Sequence, residues 1–170
     1  KRRSLLRYLE QKGLSVSSRS AAIVDIGWRG TIQDNLAFLL PDCQFDGYYM
    51  GLERFLNTQP SNARKSAFGP DLNRSEWENY SEFFRAVAPL EMLCNSSSGS
   101  VVGYTVKDGI SVAERIQDSA ENSVTDFCIT HFQRGIIDST PGIAESIRTH
   151  AIGSAELRPV AVKIWEKIIS

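Results

Sequence analysis

Cysteine and histidine are both scarce in this chain. Its 170 residues include three cysteines, at positions 43, 94 and 128, and two histidines, at positions 131 and 150. The cysteines form no CxxC pair and are odd in number, which disfavours zinc or thioredoxin-like chemistry and predicts a reducing compartment. The histidines lack the spacing of metal ligands. We therefore expect a cytoplasmic protein, and we assign no metal ligand from the sequence.

Neither sign of charge dominates, and long hydrophobic runs are missing. Lysine and arginine total 19 against 20 aspartates and glutamates, a net charge of −1, which argues against a general nucleic-acid-binding protein. No apolar run approaches the roughly 18 residues of a membrane span, and the first residues do not have the pattern of a signal peptide. We expect no nucleic-acid partner and no membrane span. Because the chain begins at Lys1 and not at Met, we also expect a piece of a longer protein.

Three common fingerprints are absent as well. The sequence contains no GxGxxG of dinucleotide-binding folds, no GxxxxGK[ST] of P-loop proteins and no GxSxG nucleophile elbow. With 42% hydrophobic and 23% charged residues, the composition is that of an ordinary globular domain. The length suits one domain over residues 1–170, with a sheet-forming part at 1–106 and a helical part at 110–170.

A strand–turn–helix pattern at residues 21–40 organises the rest of the chain. Residues 21–26 are apolar and β-branched, which predicts a strand that is buried on both faces. After a glycine-bearing turn at 27–30, apolar residues recur at helical spacing and predict a helix from about Thr31 to Leu40. Residues 45–52 predict a second strand. Strand, helix and strand within about thirty residues make a βαβ unit, whose two strands run parallel.

We predict an α/β fold with a small, mainly parallel sheet of about three to five strands and flanking helices. The remaining predicted elements follow from apolar periodicity and from Gly, Pro and Ser positions. They are a helix ending near Gly13, a loop over 53–80, a helix to about Leu93 that Pro89 breaks or kinks, a strand over 101–106 with a turn at 107–109, a long helix over 112–132 that stops at Gly135, a shorter helix from Pro141 to about Ile152, and a last helix opened by Ser154.

The turn at 27–30 combines several features of a ligand site. Asp25 lies at the carboxyl end of a predicted parallel strand, where such sheets bind ligands. Glycines in the turn permit positive φ and a close approach of ligand to backbone. The N–H groups of the next helix, an N-cap at Thr31 and the Arg29 guanidinium suit a phosphate or carboxylate. The candidates are Asp25 as a catalytic residue and Gly27, Trp28, Arg29, Gly30 and Thr31 as ligand-binding residues.

The same residues are also compatible with an ordinary helix start. Thr31 would then simply cap the helix, Arg29 would be solvated, and Asp25 would accept hydrogen bonds from loop amides. The turn is no known phosphate fingerprint, so both interpretations stay open.

Glu91 is the second catalytic candidate. It lies in an otherwise apolar run that follows Pro89, so it could be a buried acid with a raised pKa. The alternative is a solvent-facing helix residue. The nearby stretch 96–100, rich in Ser and Gly, could wrap an anion with its amides and hydroxyls or serve as a flexible linker.

Two nucleotide- and phosphate-processing families share part of this motif. Residues 25–31 read Asp-x-Gly-x-x-Gly-Thr, similar to sugar-kinase-like ATPases, but here a helix is predicted to follow and not a β-hairpin. The run is also similar to the Asp-x-Asp-Gly-Thr of haloacid-dehalogenase-type phosphatases, with Gly27 in the place of the second aspartate. A match to the later acidic motif of that family would use Asp25 and Asp34. Neither alignment supplies the nucleophile pair or the lysine in register.

A longer resemblance covers much of the chain through short motifs. Residues 23–33 and 47–52 resemble a segment of large bacterial proteins from surface-polysaccharide gene clusters, described as haloacid-dehalogenase-like hydrolases and found beside or fused to glycosyltransferases. Pro89-Leu90-Glu91, the run from Gly99 to Tyr104 and Arg158-Pro159 add to the similarity. The resemblance implies that the dehalogenase core lies upstream and that this chain is a downstream domain.

Three functions are compatible with these observations. The leading one is an anion-binding domain for a sugar phosphate or nucleotide-sugar in polysaccharide biosynthesis, with Asp25, Arg29, Gly30 and Thr31 at its site and Glu91 in the same pocket. The second is a Mg²⁺-dependent phosphohydrolase of dehalogenase type that uses Asp25. The third is a non-catalytic accessory domain that docks on a neighbouring glycosyltransferase or hydrolase. Whether the chain is itself an enzyme stays open.

Overall fold

The computed structural model describes residues 2–74, 84 and 87–169. The elements alternate between strands and helices in the first half and are mostly helical in the second. In order they are α1 (Arg2–Gln11), β1 (Ser20–Asp25), α2 (Thr31–Leu39), β2 (Gln44–Tyr49), β3 (Ala63–Ala67), α3 (Val87–Cys94), β4 (Ser100–Lys107), β5 (Ile110–Ile116), α4 (Ser119–Val124), a π-helical turn (Thr125–Ile129), α5 (Thr130–Thr149) and α6 (Ser154–Ile169).

A three-stranded parallel sheet holds the first half together. Its order is β1-β2-β3, and both neighbouring pairs are parallel. The register places Asp25 beside Tyr49 and Tyr49 beside Ala67, so the three strands end at one edge. The predicted α/β class, the βαβ unit and the small parallel sheet are confirmed.

Helices α1 and α2 cover one face of this sheet. Buried Ala37, Leu40, Cys43 and Phe45 form the core, and Leu6 of α1 packs against it. Removing these apolar surfaces from water is the main force that holds the two helices on the sheet.

A buried glutamine joins α2 to the sheet. The Gln33 amide donates to the carbonyl oxygens of Phe45 (3.1 Å) and Arg64 (2.9 Å), and its oxygen accepts from the Tyr49 hydroxyl (2.6 Å). A Cβ at Gly47 would collide with this amide. Glycine at position 47 is therefore what allows α2 to lie this close to β2.

The prediction that the first strand is buried on both faces is wrong. Exposure alternates along β1, and Val24 is 86% exposed. Tyr48, its register partner on β2, is 55% exposed. Because α1 and α2 cover only one face, apolar residues of the other face, Val24 and Tyr48 among them, stay exposed.

Strand β3 lies inside the predicted loop at 53–80, so that prediction is wrong for residues 63–67; positions 75–80 lie outside the described residues. The strand is short and carries Arg64, Lys65 and Ser66, which do not have the composition of a buried strand. Burial alternates along it, as in a strand with one covered face.

The second half begins with a hairpin. The predicted strand at 101–106 and turn at 107–109 are confirmed by β4 and by positive φ at Asp108 (51°) and Gly109 (77°). These angles fit a two-residue primed turn, which leads the chain straight back as an antiparallel strand. The predicted helix from Val112 is therefore wrong: β5 pairs with β4 as far as Ile116, and the strand-forming part extends beyond residue 106.

The helical tail also differs from the prediction. Helix α5 passes through Gly135 and Pro141, so neither the predicted stop nor the predicted helix start is present. Pro141 removes one backbone donor, and on this exposed helix water can replace it. Helix α3 continues through Pro89 to Cys94, so its predicted end near Leu93 is confirmed and the predicted break at Pro89 is wrong. Two other predictions are confirmed: α1 ends before Gly13 (φ 88°), and α6 begins at Ser154.

Among the described residues, no helix is long and apolar enough to cross a membrane.

Candidate functional site

The candidate site lies at the carboxyl edge of the parallel sheet. Backbone hydrogen bonds also join the segments that follow the three strands. After β1 and β2, Gly51 N donates to Ile26 O (3.3 Å) and Glu53 N donates to Trp28 O (2.7 Å). After β2 and β3, Leu52 N donates to Pro70 O (2.9 Å). These bonds fix the loop between β1 and α2, residues 26–30, against the segments that follow β2 and β3.

Two glycines shape this loop, as the sequence predicts. Gly27 has φ 140°, and a Cβ there would lie 2.5 Å from the Gly51 carbonyl oxygen. Gly30 has φ 65°, and a Cβ there would lie 2.7 Å from the Tyr49 hydroxyl and 2.8 Å from the Lys65 side chain. Both the backbone conformation and the close neighbours exclude a side chain at these positions. The peptide bond between Gly27 and Trp28 is cis.

Helix α2 begins without a side-chain cap. The prediction that Thr31 is the N-cap is wrong, because Gly30 takes that position and Thr31 is the first helical residue. Gly30 O accepts from Asp34 N at 3.1 Å. The N–H groups of Thr31, Ile32 and Gln33 have no acceptor within the described part of the chain. The helix therefore presents backbone donors and the positive end of its dipole at the site.

Arg29 already has a carboxylate partner. Its guanidinium forms an ion pair with Glu53, and its Nε donates to Arg54 O at 3.2 Å. The Arg29 side chain is 43% exposed. Because exposed ion pairs contribute only about 0–1 kcal/mol, a bound anion can compete with Glu53 for the guanidinium.

Lys65 lies directly beneath the loop and is the site residue that sequence reasoning missed. Its Nζ contacts Asp34 Oδ1 (2.7 Å), Arg29 O (2.9 Å) and Gln59 Oε1 (2.7 Å), and its side chain is 3% exposed. The contacts with Arg29 O and Gln59 Oε1 are hydrogen bonds, and the contact with Asp34 is an ion pair. Because the Lys65 side chain is buried and its ammonium contacts the loop backbone, Lys65 positions the loop.

Asp25 accepts a hydrogen bond from Gly27 N at 3.4 Å, the contact that the alternative interpretation of the turn predicts. The negative charge of Asp25 also affects the pKa of Tyr49 on the neighbouring strand β2. Burial raises the pKa of the Tyr49 hydroxyl, and the negative charges of Asp25 and Asp34 raise this pKa further. Tyr49 therefore stays protonated and can donate to Gln33.

Glu91 is brought to the loop by α3, although 63 residues separate it from Trp28. The Trp28 indole Nε1 donates to Glu91 Oε1 at 2.8 Å. The Phe84 ring packs edge-on against Trp28, with centroids 5.7 Å apart. Glu91 is exposed, so the interpretation as a buried acid is wrong.

The stretch at 96–100 does not join these contacts. It leads into β4, and its Gly99 carbonyl accepts from Arg115 of β5 at 2.9 Å.

No ready-made cluster of metal ligands surrounds the loop among the described residues. Within residues 2–74, 84 and 87–169, no three His, Cys, Asp or Glu side chains are grouped to hold a metal. Two carboxylates that contact the loop network, Glu53 and Asp34, are each ion-paired with a cation.

The chain matches no model of a known protein family and no curated protein. The chemistry of the candidate site therefore has to be inferred from its own geometry.

Proposed function

We propose that the carboxyl edge of the sheet binds an anionic sugar derivative, a sugar phosphate or a nucleotide-sugar. The observation that carries the proposal is the uncapped N-terminus of α2 beside an exposed arginine and an indole–carboxylate pair. The helix N-terminus and the arginine suit a phosphate, and the indole–carboxylate pair suits a sugar ring.

The phosphate would lie at the start of α2. Three unbonded N–H groups and the helix dipole favour an anion there. Arg29 would exchange Glu53 for the phosphate and gain a bidentate, charge-assisted contact. Lys65 would hold the loop through the Arg29 carbonyl while this exchange takes place.

The sugar would contact Trp28 and Glu91. Trp28 is partly buried and packs against Leu90 and Trp165. The part of the indole that stays exposed would contact the sugar ring, and a carboxylate accepts hydrogen bonds from sugar hydroxyls. Trp28 is held in place by Glu91 and Phe84 before any ligand binds, which reduces the entropy lost on binding. Asp25 and Glu91 remain the proposed catalytic residues, for which no reaction step is assigned.

The biological setting is proposed from the resemblance of residues 23–33 and 47–52 to proteins of surface-polysaccharide gene clusters. A cytoplasmic domain that recognises activated sugars fits that setting.

Arg29→Ala is expected to weaken binding of glucose 1-phosphate and UDP-glucose at least tenfold, because it removes the charge-assisted contact, worth about 1.5–3 kcal/mol. Isothermal titration calorimetry measures the affinity. The matched control is Arg19→Ala, an exposed arginine before the amino end of β1, which should leave the affinity unchanged. Absence of binding by the unmodified protein, or equal affinity in Arg29→Ala, would contradict the proposal.

A second candidate, the accessory domain, is favoured by the open face of the sheet. Parallel sheets are normally covered on both faces, whereas the face with Ala22, Val24, Tyr48 and Met50 is exposed. A neighbouring glycosyltransferase or hydrolase domain would cover it.

A photoreactive p-benzoylphenylalanine at position 24 is expected to form a covalent adduct with such a neighbour on irradiation in the producing cells. Mass spectrometry identifies the adduct. The same amino acid at exposed position 61, outside this face, serves as the control. The accessory role is rejected when position 24 gives no adduct with a glycosyltransferase or hydrolase, or when both positions give the same one.

A further inference from the structure

A cavity of about 560 Å³ lies away from the candidate site, between α1, α2 and β4. Its volume is within the range of small-molecule binding sites, about 300–1,000 Å³. Residues 101–104 of β4 line one side, and none of the lining residues belongs to the loop at 26–30. We call this cavity the α1–α2 groove.

The two helices give the groove an apolar wall. Leu5 and Leu9 are one turn apart on α1, so they lie on the same face. On α2, Ile32, Leu36 and Leu39 recur at i, i+4 and i+7 and line the opposite wall.

Leu36 and Leu39 of this apolar stripe of α2 also pack against the core of the sheet, whereas Ile32 does not belong to that core. Gln33, Ala37 and Leu40 already bury α2 against the strands. Ile32 on α2 and Val102 on β4 remain 65% and 60% exposed. An apolar ligand in the groove would remove these surfaces from water.

One end of the groove carries a cation. Arg2 precedes Leu5 and Leu9 on the same face of α1, and none of the described residues that line the groove is acidic. Arg2 forms no ion pair with any residue in the described ranges. From Arg2 to Leu9 the wall extends roughly 10 Å at the rise of an α-helix.

We propose that the α1–α2 groove binds a single-chain amphiphile with one anionic head group. The alkyl chain lies between the leucines of α1 and the apolar stripe of α2, and the carboxylate or phosphate head pairs with Arg2. Charge complementarity selects this occupant: among the described lining residues, the one that is charged is a cation, at the end of an otherwise mostly apolar wall. A cationic or zwitterionic amphiphile would leave Arg2 without a net counter-charge.

The test measures the affinity of octanoate, decanoate and decyl phosphate, each below its critical micelle concentration, by isothermal titration calorimetry. Each added methylene should lower Kd about fourfold, so decanoate should bind about fifteenfold more tightly than octanoate. Decyltrimethylammonium should bind more weakly than decyl phosphate. Affinity that does not change with chain length would overturn the proposal.

Two pairs of variants locate the ligand. Arg2→Gln should weaken decyl phosphate about tenfold and leave decanol unaffected, whereas Arg3→Gln makes the same charge change on α1 outside the groove and should have no effect. Ile32→Asp should abolish decanoate binding, since it brings a negative charge into the groove, and an acidic residue in the first turn suits the helix dipole. Phe38→Asp, equally exposed but outside the lining, is its control. Circular dichroism checks that each variant is folded.

A loss of binding affinity that is the same for the two variants of either pair would overturn the proposal. So would binding to phosphatidylglycerol vesicles without binding to the monomeric probes, because that result would assign the basic end of α1 to a membrane surface.

Discussion

Lys65→Met is expected to lower the free energy of unfolding by about 3–5 kcal/mol, because it leaves the carboxylate of Asp34 buried without its cation. The Asp34 side chain is 14% exposed and the Lys65 side chain 3% exposed, so water replaces the lost partner poorly. The same change removes the donors to Arg29 O and Gln59 Oε1. Urea denaturation followed by circular dichroism measures the loss.

The matched control is Lys107→Met, a lysine that is also on a strand but exposed. We expect it to change stability by no more than about 0.5 kcal/mol. The double variant Lys65→Met/Asp34→Leu should recover much of the loss, since removing both charges leaves no buried charge unpaired. A Lys65→Met protein within about 1 kcal/mol of the unmodified protein would contradict the assigned role of this ion pair.

Gly30→Ala is expected to lower the free energy of unfolding by about 2–5 kcal/mol. The left-handed backbone at φ 65° accounts for about 1–2 kcal/mol of this, and the contacts of the new methyl group with Tyr49 and Lys65 add about 1–3 kcal/mol. Because the loop must shift to relieve these contacts, sugar-phosphate binding should be lost as well. Thermal unfolding and calorimetry give the two readouts.

Gly13→Ala separates the two causes. Gly13 is also left-handed, with φ 88°, but a Cβ there would have no neighbour within 4 Å. It should therefore show only the backbone cost of about 1–2 kcal/mol and leave ligand binding intact. Equal effects of the two substitutions would show that the methyl contacts at position 30 contribute nothing.

The βαβ unit and its loop are predictable because their causes are local. Apolar periodicity predicts β1, α2 and β2. The positive φ angles of Gly27 and Gly30 belong to the turn itself, so the turn alone already calls for glycine at both positions. The turn at Asp108 and Gly109 is also predictable from local sequence. A two-residue turn of this kind joins antiparallel strands, so it predicts β5 after β4 and not a helix.

The rest of the site depends on contacts between distant parts of the chain. Lys65 is polar and lies on a short strand, so nothing in its neighbours predicts that it is buried beneath a loop 36 residues earlier in the chain. Likewise, the sequence marks Glu91 as unusual among apolar residues, but only the docking of α3 brings it to Trp28. Such pairings are set by tertiary packing, which single-sequence patterns do not encode.

The hydrogen bond between Trp28 and Glu91 also links the loop at 26–30 to a distant part of the chain. Its partners are 63 residues apart, and the Lys65–Arg29 contact spans 36. Closing loops of this size costs chain entropy before the contacts stabilise the structure. The candidate site therefore depends on the docking of β3 and α3 as well as on the local conformation of the loop.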